Sequence, residues 1–228
     1  MTRRMPTLST LLLAGCSLCA VSQASADRFE ASLGGGVNYV PMKSMDSLSS
    51  AQYYDVFSVQ AGIRLPELPL LSGFSTEVGL RWDTGELSGT TFNRISSELD
   101  VDALAVDLRL RRTIWGPVSA FGQGGIGWQW STLRLSDGGS SSSRPLQGKG
   151  MALLSSVGGG AEIKLMDTPK FRVGLRVQAN YQVATSMSFA ATPMSGGEDT
   201  LEIATRSSDL GSINTSGLTI RAGLVGSF

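Results

Sequence analysis

The sequence predicts an all-β fold: an eight-stranded antiparallel up-and-down transmembrane β-barrel preceded by a cleaved signal peptide. Three observations carry the prediction. Eight runs alternate with a period of two, the connections between them alternate between short and long, and aromatic residues gather at both ends of the runs.

The first segment reads as an export signal. Arg3 and Arg4 form a basic region, an apolar stretch covers 8–21, and Ala24-Ser25-Ala26 has the form of a cleavage site. The domains are therefore a signal peptide over 1–26 and a barrel over 27–228. Ser9, Thr10 and Ser17 interrupt the apolar stretch, which falls short of the roughly 20 residues a membrane-spanning helix needs. Leu13-Ala14-Gly15-Cys16 offers a competing reading as a lipobox, in which Cys16 would be acylated. Against it, the apolar stretch continues through Leu18, Cys19, Ala20 and Val21, where a polar tether is expected. Both readings take the chain out of the cytoplasm. Cleavage at 26 removes both cysteines and two of the 19 basic residues, leaving no disulfide and a net charge near −2. No basic patch argues for nucleic acid.

The eight runs cover 28–40, 56–65, 74–83, 101–111, 118–133, 151–165, 171–183 and 218–228. In the seventh, Phe171, Val173, Leu175, Val177, Ala179, Tyr181 and Val183 share one face, and Arg172, Gly174, Arg176, Gln178, Asn180 and Gln182 share the other. The eighth sets Leu218, Ile220, Ala222, Leu224, Gly226 and Phe228 against Thr219, Arg221, Gly223, Val225 and Ser227. The first, fifth and sixth runs are diluted by glycine at 34–36, 122–127 and 158–160, which suits crowding or curvature in a small closed sheet.

Three connections are short and contain proline: 66–69, 115–117 and 166–169. The other four, 41–53, 86–98, 134–148 and 185–216, are longer and polar. An even strand count with turns on one side and long loops on the other is the pattern of outer-membrane barrels. Within the last loop, Met187, Phe189, Met194, Leu201 and Ile203 suggest an extension of the final hairpin.

Two aromatic girdles are expected where the wall crosses the lipid–water interfaces. Phe29, Phe74, Trp115, Phe171 and Phe228 fall at the short-turn ends. Tyr39, Tyr53, Tyr54, Trp82, Trp128, Trp130 and Tyr181 fall at the long-loop ends. The opposite, polar face carries Glu30, Glu77, Asp83, Asp107 and Glu162 with Arg64, Arg81, Arg109, Arg111, Lys164, Arg172, Arg176 and Arg221. A charge facing lipid at mid-depth costs ~2–4 kcal/mol. These residues are therefore expected inside, paired into a network that fills a lumen only wide enough for side chains.

Signal, runs, loops and the terminal Phe228 together resemble the OmpA-like family of small outer-membrane barrels. The resemblance covers nearly all of the mature chain. It implies location in the bacterial outer membrane, and for Phe228, preceded by Leu224 and Ile220, a role as the signal read by the barrel-assembly machinery. No peptidoglycan-binding domain follows, so that family role is not implied.

Catalytic chemistry is hard to place. The chain contains no histidine, which removes Ser-His-Asp triads and the commonest metal ligand, and outer-membrane barrel enzymes use histidine. Glycines 122, 124 and 127 fit G-x-G-x-x-G, but they lie within a strand-like run and open no helix. No cofactor or metal is expected. The expectation is a non-enzymatic barrel, monomeric, contacting outer-membrane lipid and lipopolysaccharide, with a structural or surface-interaction role through loops whose partner is unknown. Two alternatives stay open. One is a narrow pore or transporter for small solutes, as in OmpW-like barrels. The other is a soluble lipocalin-like binder, whose interior would be the apolar face.

Overall fold

The computed structural model describes residues 29–41, 52–66, 73–91, 95–137, 146–168, 170–193 and 208–228. The signal segment, Cys16, and Met194, Leu201 and Ile203 lie outside them. Ten strands are described: β1 Phe29–Tyr39, β2 Tyr53–Arg64, β3 Ser75–Thr91, β4 Ile95–Trp115, β5 Val118–Asp137, β6 Leu146–Thr168, β7 Phe171–Ala184, β8 Met187–Pro193, β9 Ser208–Ile213 and β10 Gly217–Ser227.

Eight of these close a barrel. Each of β1 to β6 pairs antiparallel with the next, β7 pairs with β10, and β10 returns to β1 over the register from Glu30 opposite Ser227 to Tyr39 opposite Leu218. Closure satisfies every edge along the wall, which is what hydrocarbon surroundings demand of a sheet. Phe228 extends the seam: its backbone N–H donates to the Phe29 carbonyl at 2.9 Å, and its ring meets that of Phe171 at 5.6 Å.

The alternation sorts side chains as the sequence predicts. Leu33, Val37, Leu80, Leu104, Val106, Leu108, Ile126, Val157, Leu175, Val177, Ile220 and Leu224 all point outward and are exposed. The waist of the interior is charged. This is the reverse of a soluble ligand-binding barrel, which turns its apolar face inward.

Trp82, Trp128, Trp130, Tyr39, Tyr53 and Tyr181 stand on the outer face toward the long-loop end. Tyr39 pairs with Tyr53, and Leu218 pairs with both Tyr39 and Tyr181, so three tyrosines share one rung across four strands. Phe29, Trp115 and Phe228 are exposed at the other end; Phe74 and Phe171 are half-buried there. Tyr54 corrects the expected girdle. It follows Tyr53 directly in β2, so the pleat sends the two rings to opposite faces. Tyr53 is 60% exposed, whereas Tyr54 is inside, 6% exposed, with its hydroxyl accepting a hydrogen bond from Asn38 Nδ2 at 2.7 Å.

The long-loop side departs further from expectation. Most of 86–98 is strand rather than loop, because β3 and β4 pair out to Thr91 opposite Ile95. β5 and β6 likewise extend into 134–148, to Leu135 opposite Leu146. Within 185–216, in line with the extension that Met187 and Phe189 suggest, β8 and β9 pair with each other, and β8 pairs with the upper end of β6, from Leu146 opposite Pro193 to Lys149 opposite Ala190. A six-stranded extension thus continues the wall beyond the barrel.

This extension has a core of its own. Val40, Tyr54, Val56, Leu87, Leu99, Val101, Leu133, Leu154, Met187, Phe189 and Ile213 pack together over the long-loop mouth of the lumen. Met187 and Phe189 are fully buried. Gly150 of β6 seats Phe189: a Cβ there would stand 3.1 Å from ring carbons Cε1 and Cζ. Burying a phenylalanine against such a cluster is worth ~3–5 kcal/mol when it is cut back to alanine. Phe189→Ala is therefore expected to release the β8–β9 hairpin locally, seen as proteolysis within 187–213 at least about tenfold faster while the barrel keeps its folded gel mobility. An unchanged cleavage rate would show that the hairpin is held by its backbone ladder alone.

Candidate functional site

The lumen is organised in layers because each strand crosses the wall once and contributes an inward side chain at every second residue. Toward the long-loop end sits a layer built on Arg81, Asp83, Asp107 and Arg221. Arg81 Nε lies 3.2 Å from Asp107 and 3.4 Å from Asp83, and Arg221 Nη2 lies 2.9 Å from Asp83. Ser58 donates to Asp83 at 2.7 Å and Gln60 to Asp107 at 3.4 Å. Two arginines face two aspartates, so the layer is neutral.

Below it, Arg109, Arg111 and Arg176 meet Glu30, Glu77 and Glu162. Arg109 Nη1 is 3.0 Å from both Glu30 and Glu77, and its Nη2 donates to Gln60 at 2.6 Å. Arg111 reaches Glu30 at 2.5 Å, Glu162 at 3.2 Å and Glu77 at 3.4 Å. Arg176 holds Glu162 at 2.9 Å and also pairs with Glu30. Three arginines face three glutamates, and this layer too is neutral. Charges removed from water must be paired and hydrogen-bonded to be tolerated, and here each carboxylate has at least two guanidinium neighbours.

Phe121 sits inside this layer, with the Arg109 guanidinium 5.0 Å and that of Arg176 5.5 Å from its ring centroid. Desolvated contacts of this kind contribute up to ~2 kcal/mol. Gly160 makes room for the ring, since a Cβ there would stand 2.8 Å from Phe121 Cζ. No pattern in the chain marks Phe121 as a lumen residue, because glycines blur the parity of its run. Gln123 is equally hidden; it accepts from Arg109 and donates to Asn180 at 2.9 Å. Gln178, Asn180 and Gln182, by contrast, lie on the legible polar face of the seventh run.

Hydrocarbon side chains outside and a charged, hydrogen-bonded interior describe a wall made for lipid. Among solved structures, the chain matches a major outer membrane protein of Thermus thermophilus with a TM-score of 0.51 and 14% identity, covering 88% of this chain and 99% of that one. The fold is that of an outer-membrane β-barrel. The attachment invasion locus protein Ail of Yersinia pestis also matches (TM-score 0.43, 10% identity, 89% and 97% covered). So does the outer membrane protease OmpT of Escherichia coli (0.44, 9%, 92% and 99%). No family model matches this chain, and no curated protein matches it.

In this barrel the other charged residues expected in the lumen, Arg64, Lys164 and Arg172, do not join the buried layers. They stand at the short-turn rim, with Arg64 Nη2 4.0 Å from Glu30 and Lys164 Nζ 3.8 Å from Asp167. Arg172 Nε pairs with Asp167 at 2.6 Å. Eight bases and five acids predicted from sequence therefore resolve into two neutral layers and a basic rim. At the opposite end, Gln129 and Thr215 bond each other at 2.8 Å beneath the apolar cap, and Thr215 is buried there.

Farther out on the extension, the carboxylates of Glu86, Glu98 and Asp100 lie within 4.8 Å of one another. Arg134 bridges two of them, at 3.0 Å from Glu98 and 3.3 Å from Asp100, so the cluster reads as a surface ion-pair group of small energetic weight. Glycines 122, 124 and 127 lie in the middle of β5, so the G-x-G-x-x-G spacing opens no helix.

Proposed function

We propose that this protein is a closed, non-enzymatic barrel of the bacterial outer membrane, anchoring a projecting β-sheet at the cell surface for structural or surface interaction. The observation that carries it is the vertical order of the lumen. Two self-neutralising charged layers fill the waist, and the Met187–Phe189 cap covers them. Arg81, Arg109, Asn180 and Thr219 are at most 1% exposed, which argues for a filled barrel rather than a conduit. The exposed apolar wall suits bilayer lipid, and the upper tyrosine and tryptophan ring suits lipopolysaccharide in the outer leaflet. Phe228, at the barrel seam, suits the aromatic terminal signal for the assembly machinery. The eight-stranded wall needs no second copy to close, in keeping with a monomer.

Cell fractionation with heat-modifiable gel mobility tests the membrane assignment. The protein is expected in the outer-membrane fraction, with trypsin on intact cells cutting the extension, where Arg134 and Lys149 stand. Recovery in the soluble periplasm without detergent would overturn the reading. In planar lipid bilayers the purified barrel is expected to give no reproducible conductance steps. Regular steps that are lost on Arg109 substitution would instead favour the narrow pore.

A further inference from the structure

We infer that the short-turn mouth of the barrel is a binding site for a small, water-borne oxyanion of the phosphate class carrying two negative charges. A cavity of about 230 Å³ opens there, bordered by Arg64, Arg111, Lys164 and Arg172 and by the hydroxyls of Thr113 and Ser119. The one acid among the described residues that line it, Glu162, is already held by Arg111 and Arg176.

Charge makes the case. The two buried layers are neutral, so they cannot offset the rim. Among the described residues, the carboxylates nearest the rim's Arg64 and Lys164 are Glu30 at 4.0 Å and Asp167 at 3.8 Å, and each is held more closely by another base, Glu30 by Arg111 and Asp167 by Arg172, so Arg64 and Lys164 are the two positive charges open to an anion. The Glu30 oxygen that Arg64 approaches at 4.0 Å is the one that Arg111 already holds at 2.5 Å, so Arg64 keeps donors to spare. Arginine forks and hydroxyls supply donors in several directions, which a tetrahedral oxyanion with no protons to give can accept together. Burial against the low-dielectric wall strengthens the attraction. The cavity leads nowhere, because the layer of Arg109 and Arg176 closes its floor; it is a receptor site rather than a channel entrance. Its position inside the mouth, away from the lipid-facing wall, favours a free anion over a lipid headgroup. Binding at this mouth does not depend on what meets the long-loop end.

Calorimetric titration of the full barrel in detergent micelles with inorganic phosphate tests this. One saturable site is expected, weakened by added salt. R64Q and K164Q are each expected to weaken it about tenfold, the worth of a charge-assisted hydrogen bond. Both residues lie at the partly exposed rim, and folded gel mobility verifies each variant. K149Q, at the far mouth, should leave binding unchanged. Sulfate should compete, and the singly charged diester dimethyl phosphate, standing for a lipid headgroup, should bind more weakly than inorganic phosphate. Absence of saturation, equal losses in K149Q and K164Q, unaltered binding in both rim variants, or preference for the diester would each overturn the assignment.

Discussion

Arg109→Met is expected to lower the unfolding free energy of the inserted barrel by about 3–5 kcal/mol, the cost of breaking a buried ion pair from one side. The guanidinium it removes lies 3.0 Å from both Glu30 and Glu77 and donates to Gln60 and Gln123. Glu30 keeps Arg111 and Arg176, but Glu77 keeps only Arg111, at 3.4 Å. The uncompensated charge is therefore on Glu77. Adding Glu77→Gln to Arg109→Met should restore a substantial part of the loss, a coupling that independent contributions would not produce. Urea unfolding in lipid vesicles measures it. The four tryptophans at 82, 115, 128 and 130 all face outward, so their emission follows departure from lipid. A single variant within about 1 kcal/mol of the parent would mean that the layer is wet and its pairs interchangeable.

Val177→Arg should destabilise insertion by about 2–4 kcal/mol, whereas Tyr181→Arg, one girdle away, should cost no more than about 1 kcal/mol. Val177 lies on the outer face of β7, between Phe171 at one interface and Tyr181 at the other, and is 56% exposed. In lipid, cost rises with depth. In a soluble barrel, a half-exposed valine tolerates arginine, and Val177→Arg would be nearly neutral. Equal, small effects at both positions would therefore contradict the membrane-spanning reading more directly than fractionation does.

The wall is legible in the chain because it answers to a rule local in sequence. A strand that borders lipid on one side and charge on the other must alternate, so β7 and β10 can be read residue by residue. The charged positions of the polar face can be collected the same way. Tyr54 shows where end-of-run composition misleads: clustering by position along the chain ignores the pleat, which separates adjacent residues. Phe121 and Gln123 show another failure. Glycine carries no side chain to mark a face, so only the pairing of β5 with β4 and β6 fixes its parity.

Met187 and Phe189 suggest an extended final hairpin, but the rest of the extension above the barrel escapes the sequence for a different reason. Among the described residues, the ends of β3 and β4 beyond Val101 bury only Leu87 and Leu99 as apolar side chains, too few for a periodic signal. Their apolar partners, Met187 and Phe189, come from a hairpin far downstream in the chain. Contacts of such sequence separation leave no local pattern, and the strands form because the cap exists.

Strand number, the sidedness of turns and loops, and the composition of each face are readable from the chain alone, since each follows from the backbone's need to be paired in lipid and from the period of the pleat. How the interior is apportioned is not. Which arginine meets which glutamate, the separation into two neutral layers and a basic rim, and the apolar cap all depend on register and on strands distant in the chain. Electrostatic pairing acts through space at about 3 Å, and only closure of the ring brings those groups to that distance.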